Sequence, residues 1–152
     1  MSASQQQKRA IVLLSGGMDS ATCLVWAKAR GYELYAMSFD YGQQHAIELA
    51  YARRLAIKFG VKQHEVLSLP FVQKESSSLT GQSKVVEDHA GHEAALADTD
   101  YIPNTYVPCR NMIFLSLAFG WAESLGAHCV VVGCSAIDYS NYPDCRPEFL
   151  TA

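Results

Sequence analysis

Two periodicities alternate along this chain, and that alternation restricts the fold more than any other feature. Short apolar runs of strand character occur at 10–14, 33–39, 62–69 and 128–133. Longer stretches of helical character lie between them. One spans 19–30 and stops at Gly31. The next spans 43–59, stops at Gly60, and carries Ile47, Tyr51, Leu55 and Phe59 on one face at four-residue spacing. A third, 111–125, stops at Gly126 and is apolar nearly all round, which predicts a well-buried helix. Strands that alternate with helices of this length require right-handed βαβ crossovers and a parallel sheet. The expectation is an α/β, doubly wound, Rossmann-like fold with about four parallel strands and helices on both faces. At 152 residues, one domain over 1–152 is expected.

Two stretches break the rhythm. Residues 70–104 contain the serine-rich KESSSLTGQSK and the acidic VVEDHAGHEAALADTD. That is too long for an idle connection, so it reads as a lid-like insertion with a short helix around 93–97. Residues 134–152 end in RPEFLTA, where Pro147 and Glu148 open a helical turn. Four strands ending on a barely started helix form an unfinished sheet, so truncation at the C-terminus is expected. The net charge of −3, with no basic block, argues against direct nucleic-acid binding and for small-molecule chemistry. MSASQQQKR has no apolar core behind it, and no apolar run approaches the ~18 residues of a membrane span. Five scattered cysteines, an odd number, fit reduced thiols. These features predict a cytoplasmic protein with no membrane partner.

Residues 13–20, LLSGGMDS, sit at the exit of the first strand and the mouth of the first helix. In open parallel sheets this is where ligands bind. Paired glycines bring backbone close to a ligand, and the unpaired N–H groups of a first helical turn attract phosphate. Ser15 and Ser20 can add hydroxyl donors. Asp19 would repel a phosphate unless a cation intervenes, so it is either Mg²⁺-linked or a turn-fixing or capping residue. No lysine follows the glycines as in a Walker loop, and G-x-G-x-x-G is absent. The pattern S-G-G-x-D-S resembles the PP-loop of the N-type ATP pyrophosphatases, which cleave ATP between the α and β phosphates. That resemblance implies ATP and Mg²⁺. It places the nucleotide on Leu14, Ser15, Gly16, Gly17, Met18, Asp19, Ser20, Ala21, Thr22, Cys23 and Leu24.

Three further stretches narrow the family: FDYGQQHAIE at 39–48, YVPCRN at 106–111 and DYSNYPDCRPEF at 138–149. Together with the PP-loop, and over residues 9–150, the chain resembles the 7-cyano-7-deazaguanine synthase family of ATP-dependent carbon–nitrogen ligases. The resemblance implies adenylation of 7-carboxy-7-deazaguanine, displacement of AMP by ammonia, and a second activation that yields the nitrile for queuosine biosynthesis. Arg110, at the start of the third helix, is the expected catalytic cation at the α-phosphate, alongside Asp19; pairing with a structural carboxylate is its alternative. Asn111 reads as a cap. Asp40 and Tyr41 end the second strand, where they either contact adenine or ribose or serve as structural turn residues. Asp138, Tyr139, Tyr142, Asp144 and Arg146 are expected to bind substrate: one aspartate on the base edge, Arg146 on the carboxylate, and the tyrosines stacking on the ring.

The sequence departs from the family in two places. Asn141 stands where the family usually has glycine, a position where Asn still tolerates a left-handed backbone. The family also ends in four zinc-holding cysteines, three as CxxCxxC, and nothing in this chain supplies them. Cys129 and Cys134 do not make such a set, and His89 and His92 are two ligands without a third, so no zinc site is expected here. A homodimer is compatible with the family and with an open sheet edge. Two other classes stay open: another PP-loop adenylating enzyme, such as an amide synthetase or a tRNA-thiolating enzyme using Cys109 and Cys134, and a non-catalytic nucleotide-binding fragment.

Overall fold

A computed structural model describes residues 7–41, 46–69, 106–134 and 142–152. The chain divides into two compact units. The first comprises Met1–Asp40, His45–Ser68 and Phe114–Gly133; the second comprises Tyr41–Gln44, Leu69–Ile113 and Cys134–Ala152. The expected lid at 70–104 lies outside the described residues.

The first unit holds the sheet. Strands β1 (Arg9–Leu13), β2 (Glu33–Asp40), β3 (Gln63–Ser68) and β4 (Cys129–Val131) are parallel, in the spatial order β3-β2-β1-β4. Helix α1 (Met18–Ala29) joins β1 to β2, and α2 (Ala46–Phe59) joins β2 to β3. Strand order then reverses: β4 lies on the far side of β1, and α3 (Arg110–Leu125) precedes it in the chain. The point of reversal therefore falls between the carboxyl ends of β1 and β4, where open α/β sheets bind ligands.

Alternation along the strands sorts the core into two layers. Ala10, Val12, Leu14, Leu34 and Ala36 pack with Leu24 and Ala27 of α1 and with Ala52 and Ala56 of α2. The opposite phase, Tyr35 and Phe39, meets α3: Phe39 stacks on Phe114 at 3.9 Å between centroids, and Trp121 meets Tyr35 edge-on. At the amino ends of the strands, the Arg9 guanidinium bonds Glu33 at 3.2 Å and the Leu125 carbonyl at 2.6 Å, tying β1 to β2 and to the end of α3. Gly31, Gly60 and Gly126 all have positive φ (77°, 70° and 60°), as their helix-stopping role requires.

Two expectations about helix faces fail. Ile47 is 61% exposed and Tyr51 is also exposed, whereas Ala52 and Ala56 form the buried contact, flanked by Leu55 and Phe59. The buried stripe of α2 is thus set by small residues that allow close approach. Helix α3 buries Ala118 and Ala122 but leaves Phe119 57% exposed and Met112 and Leu117 exposed too. A helix lying on one sheet face covers only one stripe, whatever its remaining composition. Among the described residues, no helix is long and apolar enough to cross a membrane.

Candidate functional site

In the first unit, the turn between β1 and α1 is built so tightly that its own side chains occupy most of its donors. Gly16 has φ +95°, and a Cβ added there would lie 2.2 Å from the Glu48 carbonyl oxygen and 2.9 Å from the Ala52 nitrogen. Only glycine fits, because the backbone of α2 occupies the space. Ser20 is buried at the centre of the turn. Its Oγ accepts from the Gly16 N–H (3.2 Å) and the Ser15 hydroxyl (3.1 Å), and donates to the Gly17 carbonyl (2.9 Å). Ser15 Oγ accepts from the Gly17 N–H at 3.2 Å. The two serine hydroxyls therefore spend their protons inside the loop rather than offering them to a ligand, contrary to the sequence expectation.

What the turn does present is backbone. With Gly17 as N-cap and no side-chain cap, the N–H groups of Met18, Asp19 and Ser20 have no intrahelical acceptor. They lie at the positive end of the α1 dipole, an arrangement suited to an anion. Asp19 makes no capping bond; it is exposed in the first turn, leaving its carboxylate available to a cation. Gly133, just past β4, packs against Asp19, with a hypothetical Cβ only 3.1 Å from the Asp19 Cβ. Thr22 bonds back to the Met18 carbonyl, while Leu24 is core. Cys23 is half-buried, and burial followed by the nearby Asp19 charge pushes its thiol above the ordinary range. Ala21 lines an open groove of about 260 Å³ beside the loop, with Met18, Tyr51, Arg54 and Lys58. That volume is below the roughly 300–1,000 Å³ usual for a small-molecule site.

Behind the turn lies a polar link that the sequence did not reveal. Ser38 of β2, fully buried, donates its hydroxyl to the Leu14 carbonyl, so it must accept from His64 Nε2, 2.7 Å away on β3. Nε2 therefore carries the proton. Burial, then the neighbouring Arg53, lowers the His64 pKa, against a smaller opposing effect of Glu65.

The second unit gathers another set of expected residues. Arg110 begins α3 and is hydrogen-bonded to Tyr41; burial disfavours its charge, but Tyr41, Asp144 and Cys145 outweigh that and raise its pKa. Asp144 is 5% exposed. Its Oδ2 accepts from the Asn111 N–H at 2.8 Å, and its carbonyl accepts from Asn111 Nδ2 at 3.1 Å. Asp144 thus caps α3 from a distant stretch, and Asn111 is the residue held rather than the cap. The other oxygen, Asp144 Oδ1, is buried without a hydrogen-bond partner. Tyr142 rests on the ring of Tyr106 at 5.6 Å, and the Tyr106 hydroxyl accepts from the N–H of Cys109, whose φ is +56°. Arg146 stands between a 3₁₀ turn (Pro143–Cys145) and α4 (Pro147–Thr151), so the helical turn expected at Pro147 is present.

The structure accordingly groups Leu14–Leu24 around one turn, and Tyr41, Arg110, Tyr142, Asp144 and Arg146 in one unit. Asp40 ends β2 in register with Ser68, exposed. Asp138, Tyr139, Asn141, His89 and His92 lie outside the described residues. The sequence reading missed Tyr106 and Ser38–His64; only the run YVPCRN around Tyr106 gave any signal. Among the described residues, no group of three or more His, Cys, Asp or Glu side chains is placed to hold a metal ion.

The family model for "Queuosine biosynthesis protein QueC" matches residues 9–152. A 7-cyano-7-deazaguanine synthase of Coxiella burnetii is 52% identical over 145 residues, covering 95% of this chain and 61% of the relative. Its counterparts in Syntrophus aciditrophicus and Pseudomonas aeruginosa are each 51% identical over 146 residues, covering 96% of this chain and 62% of theirs. The chain thus spans about three-fifths of the length of these relatives.

Proposed function

Because this chain belongs to the QueC family of queuosine biosynthesis proteins, we propose that it forms the ATP-binding part of a ligase that converts 7-carboxy-7-deazaguanine and ammonia to 7-cyano-7-deazaguanine. The observation that carries the reading is the turn at Gly16, closed by α2 and by Ser20 so that its remaining free donors are the N–H groups of Met18, Asp19 and Ser20. These N–H groups hold the pyrophosphate portion of ATP. When Mg²⁺ accompanies the nucleotide, Asp19 is the carboxylate that would hold it, and the ion neutralises phosphate charge.

The chemistry then follows from charge. A carboxylate oxygen of the substrate attacks the α-phosphate and pyrophosphate leaves, giving an acyl-adenylate that ammonia opens to the amide. The amide oxygen then attacks the α-phosphate of a second ATP with loss of pyrophosphate, and AMP leaves with that oxygen as the nitrogen gives up its two protons, leaving the nitrile. Arg110 offsets the negative charge that gathers on the α-phosphate. Asp144 Oδ1, buried and unpaired, accepts an N–H of the deazaguanine, while its other oxygen keeps α3 in place. Tyr142, Arg146, Asp138 and Tyr139 complete the substrate set, and Asp40 and Tyr41 the nucleoside set.

ATP–pyrophosphate exchange tests this directly, with Mg²⁺ and with or without 7-carboxy-7-deazaguanine. Exchange that depends on the acid is the expected result. ATP binding with no acid-dependent exchange would overturn the ligase reading for this chain and leave a nucleotide-binding module.

A further inference from the structure

Leu14 leads into the turn after β1, and both of its backbone polar groups are tied to β2. Its N–H donates to the Met37 carbonyl at 2.8 Å, one step beyond the last register pair, Leu13↔Met37. Its carbonyl accepts from the Ser38 hydroxyl, a side chain rather than a backbone donor. Ser38 in turn accepts from His64 Nε2 at 2.7 Å. His64 is in register with Ala36, two residues before Ser38, so its ring reaches diagonally across the β2–β3 pair. One run of hydrogen bonds therefore extends from β3, at the sheet edge, through β2 to the peptide that opens the turn.

Burial alone would favour a different residue at position 38. Leu34 and Ala36 precede it on the same face of β2 and pack in the apolar layer under α1 and α2. Ser38 is 1% exposed, and a hydroxyl at such depth is costly unless it is bonded. With its one proton on the Leu14 carbonyl, the hydroxyl can only accept from His64, and that second bond holds the rotamer that makes the first. Holding the Leu14 carbonyl sets the plane of the Leu14–Ser15 peptide. Ser15 is where the internal bonds of the loop start: its Oγ accepts from the Gly17 N–H at 3.2 Å and donates to Ser20 Oγ at 3.1 Å. The orientation of that peptide thus passes to the N–H groups of Met18, Asp19 and Ser20, while Ser38 stays too deep to touch a ligand.

We propose that Ser38 and His64 are positioning residues of the nucleotide loop. His64 holds the Ser38 hydroxyl, Ser38 holds the Leu14 carbonyl, and the loop is set before ATP arrives. This rests on the reading of the turn as the ATP loop, and it imposes an order: His64 acts only through Ser38. Without the relay, the binding-ready loop is populated for part of the time only, and affinity falls by that fraction. Loss of one hydrogen bond of ordinary net strength makes the fall about 3- to 10-fold.

The test combines ATP binding by calorimetry with amide exchange by NMR, on the 152-residue chain and its variants. Ser38→Ala and His64→Leu should each weaken ATP about 3- to 10-fold, and the double variant should bind no more weakly than Ser38→Ala alone. His64→Gln, whose side-chain amide N–H can reach the same hydroxyl, should bind ATP within about twofold of the unsubstituted chain. Leu34→Val, which trims the core at the amino end of the same strand, should lower the melting temperature and leave ATP affinity unchanged. Multiplied losses in the double variant, no rescue by glutamine, or an affinity that tracks melting temperature across the set would overturn the proposal. A readout without nucleotide separates it from the functional reading. The Gly16 and Gly17 amides, both bonded inside the loop, should exchange about 3- to 10-fold faster in Ser38→Ala, beyond any change at Ile11 and Val12 that reports overall stability. If the unsubstituted chain binds no ATP, the functional reading fails while faster exchange still supports the relay. Unchanged exchange at Gly16 and Gly17 overturns the relay whatever ATP does.

Discussion

Replacing Gly16 by alanine puts the turn geometry to its hardest test. A Cβ at that position would sit 2.2 Å from the Glu48 carbonyl oxygen and 2.9 Å from the Ala52 nitrogen, both backbone atoms of α2, so no side-chain rotation relieves the clash. The φ of +95° adds a conformational cost of about 1–2 kcal/mol for a residue with a Cβ. Forcing α2 away from the loop costs a further 1–3 kcal/mol, roughly, by analogy with overpacked cores. The sum is about 2–5 kcal/mol. At roughly 3 °C per kcal/mol for a chain of this size, the melting temperature should fall about 6–15 °C.

Two neighbours act as controls. At Gly17 the nearest atom to an added Cβ is Ser15 Oγ at 3.5 Å, an ordinary contact, and φ is −77°. Alanine there should cost about 0.5–1 kcal/mol, the loss of a favourable N-cap residue. At Gly133 the added Cβ meets Asp19 at 3.1 Å, which predicts an intermediate loss. Urea denaturation followed by circular dichroism ranks the three variants. If Gly16→Ala unfolds at the same urea concentration as Gly17→Ala, the close approach of α2 to the turn is wrong, and with it the reason given for that glycine.

Ser20→Ala removes the oxygen that joins Gly16, Ser15 and Gly17, leaving a part-buried N–H unpaired; stability should drop by about 1–2 kcal/mol and ATP affinity should weaken, measured by urea titration and calorimetry. Asp144→Ala strips the cap from α3 and should cost about 1–3 kcal/mol, whereas Asp144→Asn keeps an acceptor for the Asn111 N–H and should unfold near the unsubstituted chain. If Oδ1 serves the substrate, Asp144→Asn still loses acid-dependent exchange; unchanged exchange would reassign Asp144 to structure alone. His64 has a folded pKa below the ~6.5 of an unfolded histidine, so the unfolded state binds the extra proton first. Its contribution to stability is therefore complete above pH 6.5 and is lost as the pH falls toward the folded value. Imidazole resonances followed by NMR should titrate below 6.5, and His64→Gln should remove that part of the acid sensitivity.

Much of the fold is legible in the sequence because its signals are local. The apolar runs, the glycines that stop α1, α2 and α3, and the S-G-G-x-D-S turn each act over one strand or one helical turn. The alternation implies a parallel sheet, but that the turn lies at the reversal of strand order is decided by the order β3-β2-β1-β4 in the folded sheet. The sequence misleads where burial depends on a partner. Ile47 and Tyr51 have the right spacing for a core face, yet the sheet receives Ala52 and Ala56, because small residues let α2 come close enough to touch Gly16. Phe119 is as apolar as Phe114, but only Phe114 has Phe39 opposite.

The candidate site divides along the same line. Sequence alone determined which turn is present and which charged residues accompany the family's motifs, whereas the need for glycine at position 16 comes from the α2 backbone packed against it. Tertiary structure alone decided that Ser15 and Ser20 hold the loop rather than a ligand and that Asp144 caps a helix begun at Arg110. Each of those depends on a hydrogen bond or a clash fixed by packing. Propensity and periodicity describe a residue's preferred backbone and face, while the roles of these polar atoms were set by which partner the folded chain brought within bonding distance.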